Sequence, residues 1–268
     1  MASPSPQPTL VLLGDSTLDN ILWVPTPSSC IAFQLRSMGF NVVNCAADGF
    51  TTDDVLNGGK ALLSCAARER AGDALPGWVA GRDAASQDTF EPLKHVEDLA
   101  RKSGESGSMG ITVVLSVGGN DIRHILADMK GVESTVKLLH ANYAALLQRL
   151  LRLRPVVNTV VCMQYRPCMS EGNARYPLMK VFGTHLMIAA PHPSTFTEMD
   201  QRYYGVYSAM ATLPGPESAA VKLNRLMHKV YAPIVATAFE HGLALIDLPN
   251  TFDVKNNALC VACCPRRL

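Results

Sequence analysis

The sequence predicts an α/β protein, a three-layer α/β/α sandwich around a five-stranded, mostly parallel sheet, and three observations carry that prediction. Short apolar runs rich in β-branched residues alternate with longer stretches of helical periodicity. Three of the runs end at small residues and give way to Gly14-Asp15-Ser16, Ala47-Asp48-Gly49 and Gly118-Gly119-Asn120-Asp121. The runs carry no polar alternation, which fits strands covered on both faces and joined by right-handed crossovers.

Each element follows from its residues. The first strand is Thr9-Leu10-Val11-Leu12-Leu13, stopped at Gly14, and Ser16 lies in the loop at its carboxyl end. A helix over Ser29 to Ser37 closes at Gly39, before a second strand from Asn41 to Ala47. A helix over Thr52 to Ala67 and another over Leu93 to Lys102 precede Ile111 to Val117, the most strand-like stretch in the chain. The helix from Glu133 to Leu153 sets Val136, Leu139, Tyr143, Leu146, Leu147 and Leu150 on one apolar stripe. Lys137, Gln148 and Arg149 are left for its wet face. Val156 to Met163 gives a fourth strand, Glu217 to His241 a helix kinked at Pro233, and Leu243 to Leu248 a fifth strand after Gly242.

Two stretches break the rhythm. Arg68 to Pro92 is polar and glycine-rich and reads as a surface excursion. The stretch 164–216 is an insertion rich in methionine and aromatic residues, placed where it could lie over the carboxyl ends of the strands as a lid or an acyl-binding wall. The other reading is a helical insert with a small core of its own.

At 268 residues and 48% hydrophobic content the chain can bury one full core. The expected organisation is a disordered tail over 1–8 and a single domain over 9–268, with the insertion 164–216 and an atypical carboxyl-terminal tail over 254–268. A net charge of +1 gives no field favouring nucleic acid or an anionic membrane, so the expected partner is a small, nearly neutral molecule. Met1 to Pro8 lacks the basic start and apolar core of a secretory signal, and no apolar stretch reaches the length of a membrane span. The expectation is a soluble, cytoplasmic protein. The eight cysteines lack disulfide-scaffold or zinc-ribbon spacing, and Cys260, Cys263 and Cys264 have no second ligand pair, so no metal and no cofactor is expected.

In an open parallel sheet, ligands bind beyond the carboxyl ends of the strands, so Ser16, Gly49 and Asn120 are expected in one crevice. Gly14-Asp15-Ser16 followed by Asp19-Asn20, the glycine of Ala47-Asp48-Gly49, and Gly119-Asn120-Asp121 together resemble the blocks of the SGNH hydrolases, the GDSL lipases and esterases. The resemblance implies a flavodoxin-like SGNH hydrolase fold and a serine esterase, lipase or thioesterase acting through an acyl-enzyme on Ser16. It also implies an oxyanion hole formed by the Ser16 and Gly49 amides and the Asn120 side chain, neutral donors fixed before the charge develops. The bland alternative makes Ser16 a turn serine and Asn120 a turn residue. Asp15 and Asp121 are expected to bond local backbone amides and to order their loops. Asp19 and Asn20 either do the same or start a helix.

The sequence departs from the family pattern after the fifth strand. The Asp-x-x-His block that supplies the base and its partner is not found beyond Asp247, which gives the terminus the look of a truncated or divergent end. The histidines are His95, His124, His140, His185, His192, His228 and His241, and of these His124, His185 and His192 are the candidates to approach Ser16. A descendant that binds an acyl or glycan ligand without efficient turnover is the alternative function. A nucleotide-binding module lacks its glycine-rich phosphate loop, and Asp15 and Asp48 would repel an anion.

Overall fold

The computed structural model describes residues 8–21, 24, 26–60, 68, 71–73, 89–106, 110–127, 131–163, 215–216 and 219–248. In chain order these form β1 (Thr9–Gly14), α1 (Ile31–Ser37), β2 (Asn41–Asn44), α2 (Thr52–Asn57), α3 (Pro92–Ser106), β3 (Ile111–Ser116), α4 (Gly119–Ala127), α5 (Val132–Leu151), β4 (Val157–Cys162), α6 (Ala219–Glu240) and β5 (Ala244–Ile246). The tail before Pro8, most of the insertion 164–216, and the stretch 254–268 with Cys260, Cys263 and Cys264 lie outside the described residues.

All four pairings in the five-stranded sheet are parallel, in the order β2-β1-β3-β4-β5. The chain winds outward from β1 to β2, then returns to place β3 on the opposite side of β1. The order reverses there, and such a reversal opens a crevice at the carboxyl ends of the two strands beside it. Leu12 pairs in register with Asn44 on one side and Val114 on the other, Val114 with Val160, and Val160 with Ala244.

Alternation along these strands separates two cores. Val11, Leu13, Val113, Leu115, Val157 and Val161 face a large cluster completed by Val55 and Leu93, the stripe Leu139, Tyr143, Leu146, Leu147 and Leu150 of α5, and Met227, Val230 and Ile234 of α6. The opposite face is smaller, with Leu12 and Val42 packed on Ala32 of α1 and with Leu10 and Val114 partly buried. Cover on this face thins across the sheet: Leu12 is 1% exposed and Ile246, at the outer edge, is 42% exposed.

Several boundaries differ from the expectation for local physical reasons. The helix expected over Thr52 to Ala67 stops at Asn57. Its start is fixed by a capping box, in which the Asp54 carboxylate accepts from the Thr51 amide at 2.8 Å while the Thr51 hydroxyl accepts from the Asp54 amide at 3.3 Å. Gly59 then forms an antiparallel bridge with Phe90, with amide-to-carbonyl bonds of 3.0 and 2.9 Å in the two directions. Arg149 is not a wet-face residue. Its guanidinium grips both Glu97 carboxylate oxygens at 2.6 and 2.7 Å and reaches the Leu56 carbonyl at 3.1 Å, tying α5 to α3 and α2. Helix α6 continues through Pro233 as expected, and the Thr237 hydroxyl donates to the Pro233 carbonyl at 2.9 Å. Cys30, Cys45 and Cys162 are buried free thiols, in keeping with their reading as small apolar side chains.

Gly14 pairs with Ser116 at the carboxyl ends of β1 and β3. Its φ is +147°, and a Cβ placed there would lie 1.8 Å from the Ser116 carbonyl oxygen. The Asp15 amide donates to that same oxygen at 3.0 Å and continues the parallel ladder past Gly14. Gly49 also has a positive φ, +85°, yet a Cβ there would meet nothing within 4 Å. Gly14→Ala therefore combines backbone strain with a steric clash, a loss of roughly 2–5 kcal/mol, whereas Gly49→Ala carries only strain of about 1–2 kcal/mol. Urea unfolding of the two variants measures the difference, and equal losses would reject the clash.

Candidate functional site

Beyond the carboxyl ends of β1, β2 and β3 lie three short loops, each crossed by hydrogen bonds to another. The β1 exit folds into a tight turn because Asp15 serves it twice. Its carbonyl accepts from the Leu18 and Asp19 amides at 3.0 and 2.9 Å, and its side-chain Oδ1 accepts from the Thr17 amide at 3.0 Å. Ser16 lies at the start of that turn and is partly exposed.

The β2 exit continues to pair with β1, through the Cys45 amide on the Leu12 carbonyl at 2.7 Å and the Ala47 amide on the Gly14 carbonyl at 3.0 Å. Ala47 to Phe50 then form a β-turn closed by the Phe50 amide on the Ala47 carbonyl at 3.2 Å. Gly49 is its third residue, and its positive φ is what a type II turn requires at that position. At the β3 exit, α4 begins directly, so Asn120 lies in a first helical turn just past the strand end. Asn120 is buried, and its Nδ2 donates to the Phe50 carbonyl at 2.9 Å.

Carboxylates join these loops. Asp15, 1% exposed, accepts at Oδ2 from the Gly119 amide at 3.3 Å, spanning the reversal point between β1 and β3. Asp19 Oδ2 accepts from the Asp48 amide at 3.1 Å, joining the β1 and β2 exits. Asp121 accepts from the Thr52 amide at 2.9 Å and the Thr52 hydroxyl at 2.5 Å, joining α4 to the start of α2. Asn142 of α5 reaches the same hydroxyl at 3.4 Å. The reading of Asp121 as a local loop residue is thereby corrected, since its partner is 69 positions away in the chain. Asn20 neither starts a helix nor orders the serine turn, and its Oδ1 accepts from the Ile31 amide at 2.9 Å, at the first turn of α1.

One contributor was not anticipated. Arg68, in the polar excursion, is fully buried and donates to the Asp73, Ala46 and Asn44 carbonyls at 2.9, 2.8 and 2.7 Å. The guanidinium satisfies carbonyls at the carboxyl end of the edge strand β2 and so steadies the chain leading to Gly49. Asp73 balances the charge, 3.6 Å from Arg68 and 2.6 Å from Arg36. Arg68 is followed by Glu69 and Arg70 in a polar stretch, and nothing in that pattern signals this role.

Burial sets the local acidities. It raises the Asp121 carboxyl above the ordinary range, opposed by the hydrogen bonds from Thr52. Burial also pushes the Cys45 thiol up to about 12, with Arg68 opposing, and the Cys162 thiol up to about 11, with a Ser116 hydrogen bond opposing. Neither thiol is a nucleophile near neutral pH. Of the histidines, His140 is engaged with the Val230 carbonyl at 2.9 Å and links α5 to α6. His95 is half-buried on α3, and burial lowers its pKa. His228 and His241 are exposed on or beside α6, and His124 is exposed on α4. His185 and His192 lie outside the described residues.

No protein-family model and no curated protein matches the chain. Among solved structures it is similar to an acetyl xylan esterase, AlAXEase, at 13% identity over 93% of this chain and 83% of that one, with a TM-score of 0.45. A phospholipase A1 from Streptomyces albidoflavus NA297 gives 14% identity, coverage of 92% and 82%, and a TM-score of 0.43. An extracellular lipase from Streptomyces rimosus gives 14% identity, coverage of 91% and 82%, and a TM-score of 0.40. The α/β architecture stands on its own strand order and register, and these likenesses add no argument about activity.

The raised pKa of Asp121 has a definite sign in stability. A carboxyl whose folded pKa exceeds its unfolded value, about 4, contributes most when protonated and loses that contribution as pH rises through the folded value. The stability of the parent protein relative to Asp121→Asn is therefore expected to decline as the pH rises above about 4. Urea titrations at several pH values test this, and a difference that grows with pH would reject it.

Proposed function

We propose that the chain is a serine hydrolase of small, uncharged acyl esters or thioesters, with Ser16 as nucleophile and an oxyanion hole drawn from the Ser16 amide, the Gly49 amide and the Asn120 side chain. The observation that carries this reading is the hydrogen bond from Asn120 Nδ2 to the Phe50 carbonyl. It ties Asn120 to the Gly49 turn at the sheet's reversal point, beside the loop that bears Ser16.

In this reading Ser16 Oγ bonds to the acyl carbon, its proton passes to a base, and the carbonyl oxygen takes the negative charge. The tetrahedral intermediate then expels the alcohol or thiol, which receives a proton, and water releases the acid from Ser16 by the same sequence in reverse. Asn120 Nδ2 is held by Phe50, and in this reading the same amide group also serves the oxyanion. Because the donor is fixed by that bond, it need not reorganise as charge develops. The buried carboxylates Asp15, Asp19 and Asp121 make the surroundings unfavourable to anionic substrates, which is why the substrate is assigned as uncharged. The base is one of His124, His185 and His192. The exposure of His124 on α4 favours, as a second reading, a binder of the same ligands with little turnover.

A fluorophosphonate probe read by intact-mass and peptide mass spectrometry separates the two readings. The expected result is one adduct on Ser16, lost in Ser16→Ala. An unlabelled, folded protein supports the binder, and an adduct on another serine rejects Ser16 as nucleophile. Asn120→Ala is expected to lower turnover of p-nitrophenyl acetate by about 10²–10³ and, because the buried Phe50 carbonyl loses its donor, to lower stability by about 1–3 kcal/mol. Turnover unchanged in that variant would remove Asn120 from the oxyanion hole.

A further inference from the structure

The turn that carries Gly49 is anchored in the core at its ends, by Ala47 and Phe50, but not at Gly49 itself. Gly49 is exposed, it has the backbone freedom of its residue type, and nothing lies within 4 Å of the position its Cβ would occupy. Hydrogen bonds act on it from both sides. Three are made at the ends of the turn: Ala47 to Gly14, Phe50 to Ala47, and Asn120 to Phe50. Another is the bond from the Asp48 amide to Asp19 Oδ2 at 3.1 Å, and it acts on the residue directly before Gly49.

Asp19 is itself rigidly placed. It is 1% exposed, and its own amide is held by the Asp15 carbonyl at 2.9 Å, one turn from Ser16. A single side chain thus spans the segment bearing Ser16 and the residue preceding the Gly49 amide. A buried carboxylate beside a developing oxyanion opposes the charge it would have to help stabilise, so its service to catalysis is one of geometry.

We propose that Asp19 is a positioning residue that fixes the Gly49 amide relative to Ser16 through its bond to the Asp48 amide. This rests on the serine hydrolase reading above. The requirement is an acceptor oxygen at one place. Asparagine supplies it without charge, whereas glutamate keeps the charge and displaces the oxygen by a methylene.

The test uses the full chain as the parent protein and as Ser16→Ala, Asp19→Asn, Asp19→Glu and Asp19→Ala, with p-nitrophenyl acetate kinetics, fluorophosphonate labelling and thermal melts. Asp19→Asn is expected to keep kcat within about fivefold of the parent. Asp19→Glu and Asp19→Ala are expected to lose about 10- to 100-fold in kcat with KM within about twofold, a smaller loss than removal of a donor outright. If Asp19→Ala does not fold, the comparison of Asn with Glu decides. Glu active and Asn impaired would make the charge the requirement and overturn the proposal, as would three variants at the parent rate. A parent protein unlabelled and as inactive as Ser16→Ala would remove the hydrolase reading and this proposal together. A labelled parent with indifferent Asp19 variants removes only this proposal.

Discussion

Buried carboxylates that accept backbone amides from neighbouring loops are the constraint on which the crevice depends. Short loops at the ends of parallel strands have few apolar contacts to hold them, and their unpaired amides need acceptors. Asp15, Asp19 and Asp121 supply those acceptors across chain separations of 104, 29 and 69 positions. Each is buried, so each bond is made in a medium where losing it would leave a desolvated charge or amide behind. Three loops thereby behave as one body, although no single loop is long enough to be rigid alone.

The sheet supports this arrangement from below. Gly14, with no side chain to meet the Ser116 carbonyl, lets the β1–β3 ladder run on to the Asp15 amide, which sets the starting point of the Ser16 turn. Arg68 does a related task at β2, the edge strand of the sheet among the described residues, by taking up its carbonyls. Helix α5 reaches the same region through Asn142 and, at its far end, is fixed through Arg149 to α3 and α2. Backbone approach, a buried cation and a helix thus converge on one end of the sheet.

Much of this was legible in the residues. Strands covered on both faces show as unbroken aliphatic runs, so β1, β3 and β4 were placed to within a residue or two, and the stripe on α5 was read correctly from Leu139 to Leu150. The end of α2 was not, because the apolar content after Gly58 outweighed a glycine pair that in fact turns the chain toward Phe90. The partners of Asp19, Asp121 and Arg68 were illegible for a different reason. A carboxylate or guanidinium advertises its bonding capacity but not its address, and its partners here come from loops joined only by the strand order. Parallel pairing could be inferred from alternating elements. The order β2-β1-β3, which decides that Ser16 and Asn120 leave neighbouring strands, follows only once the sheet is assembled.

The uneven burial of the smaller sheet face sets a direction for local opening. Among the described residues, strand β5 has three residues, pairs only with β4, and exposes Ala244 and Ile246, features that lower a strand's protection against solvent exchange. β4 stands between that border and β3. Fraying that starts at β5 can come and go without disturbing the pairing of β1 with β3. The protein can therefore breathe along its outer rim while its central seam stays shut.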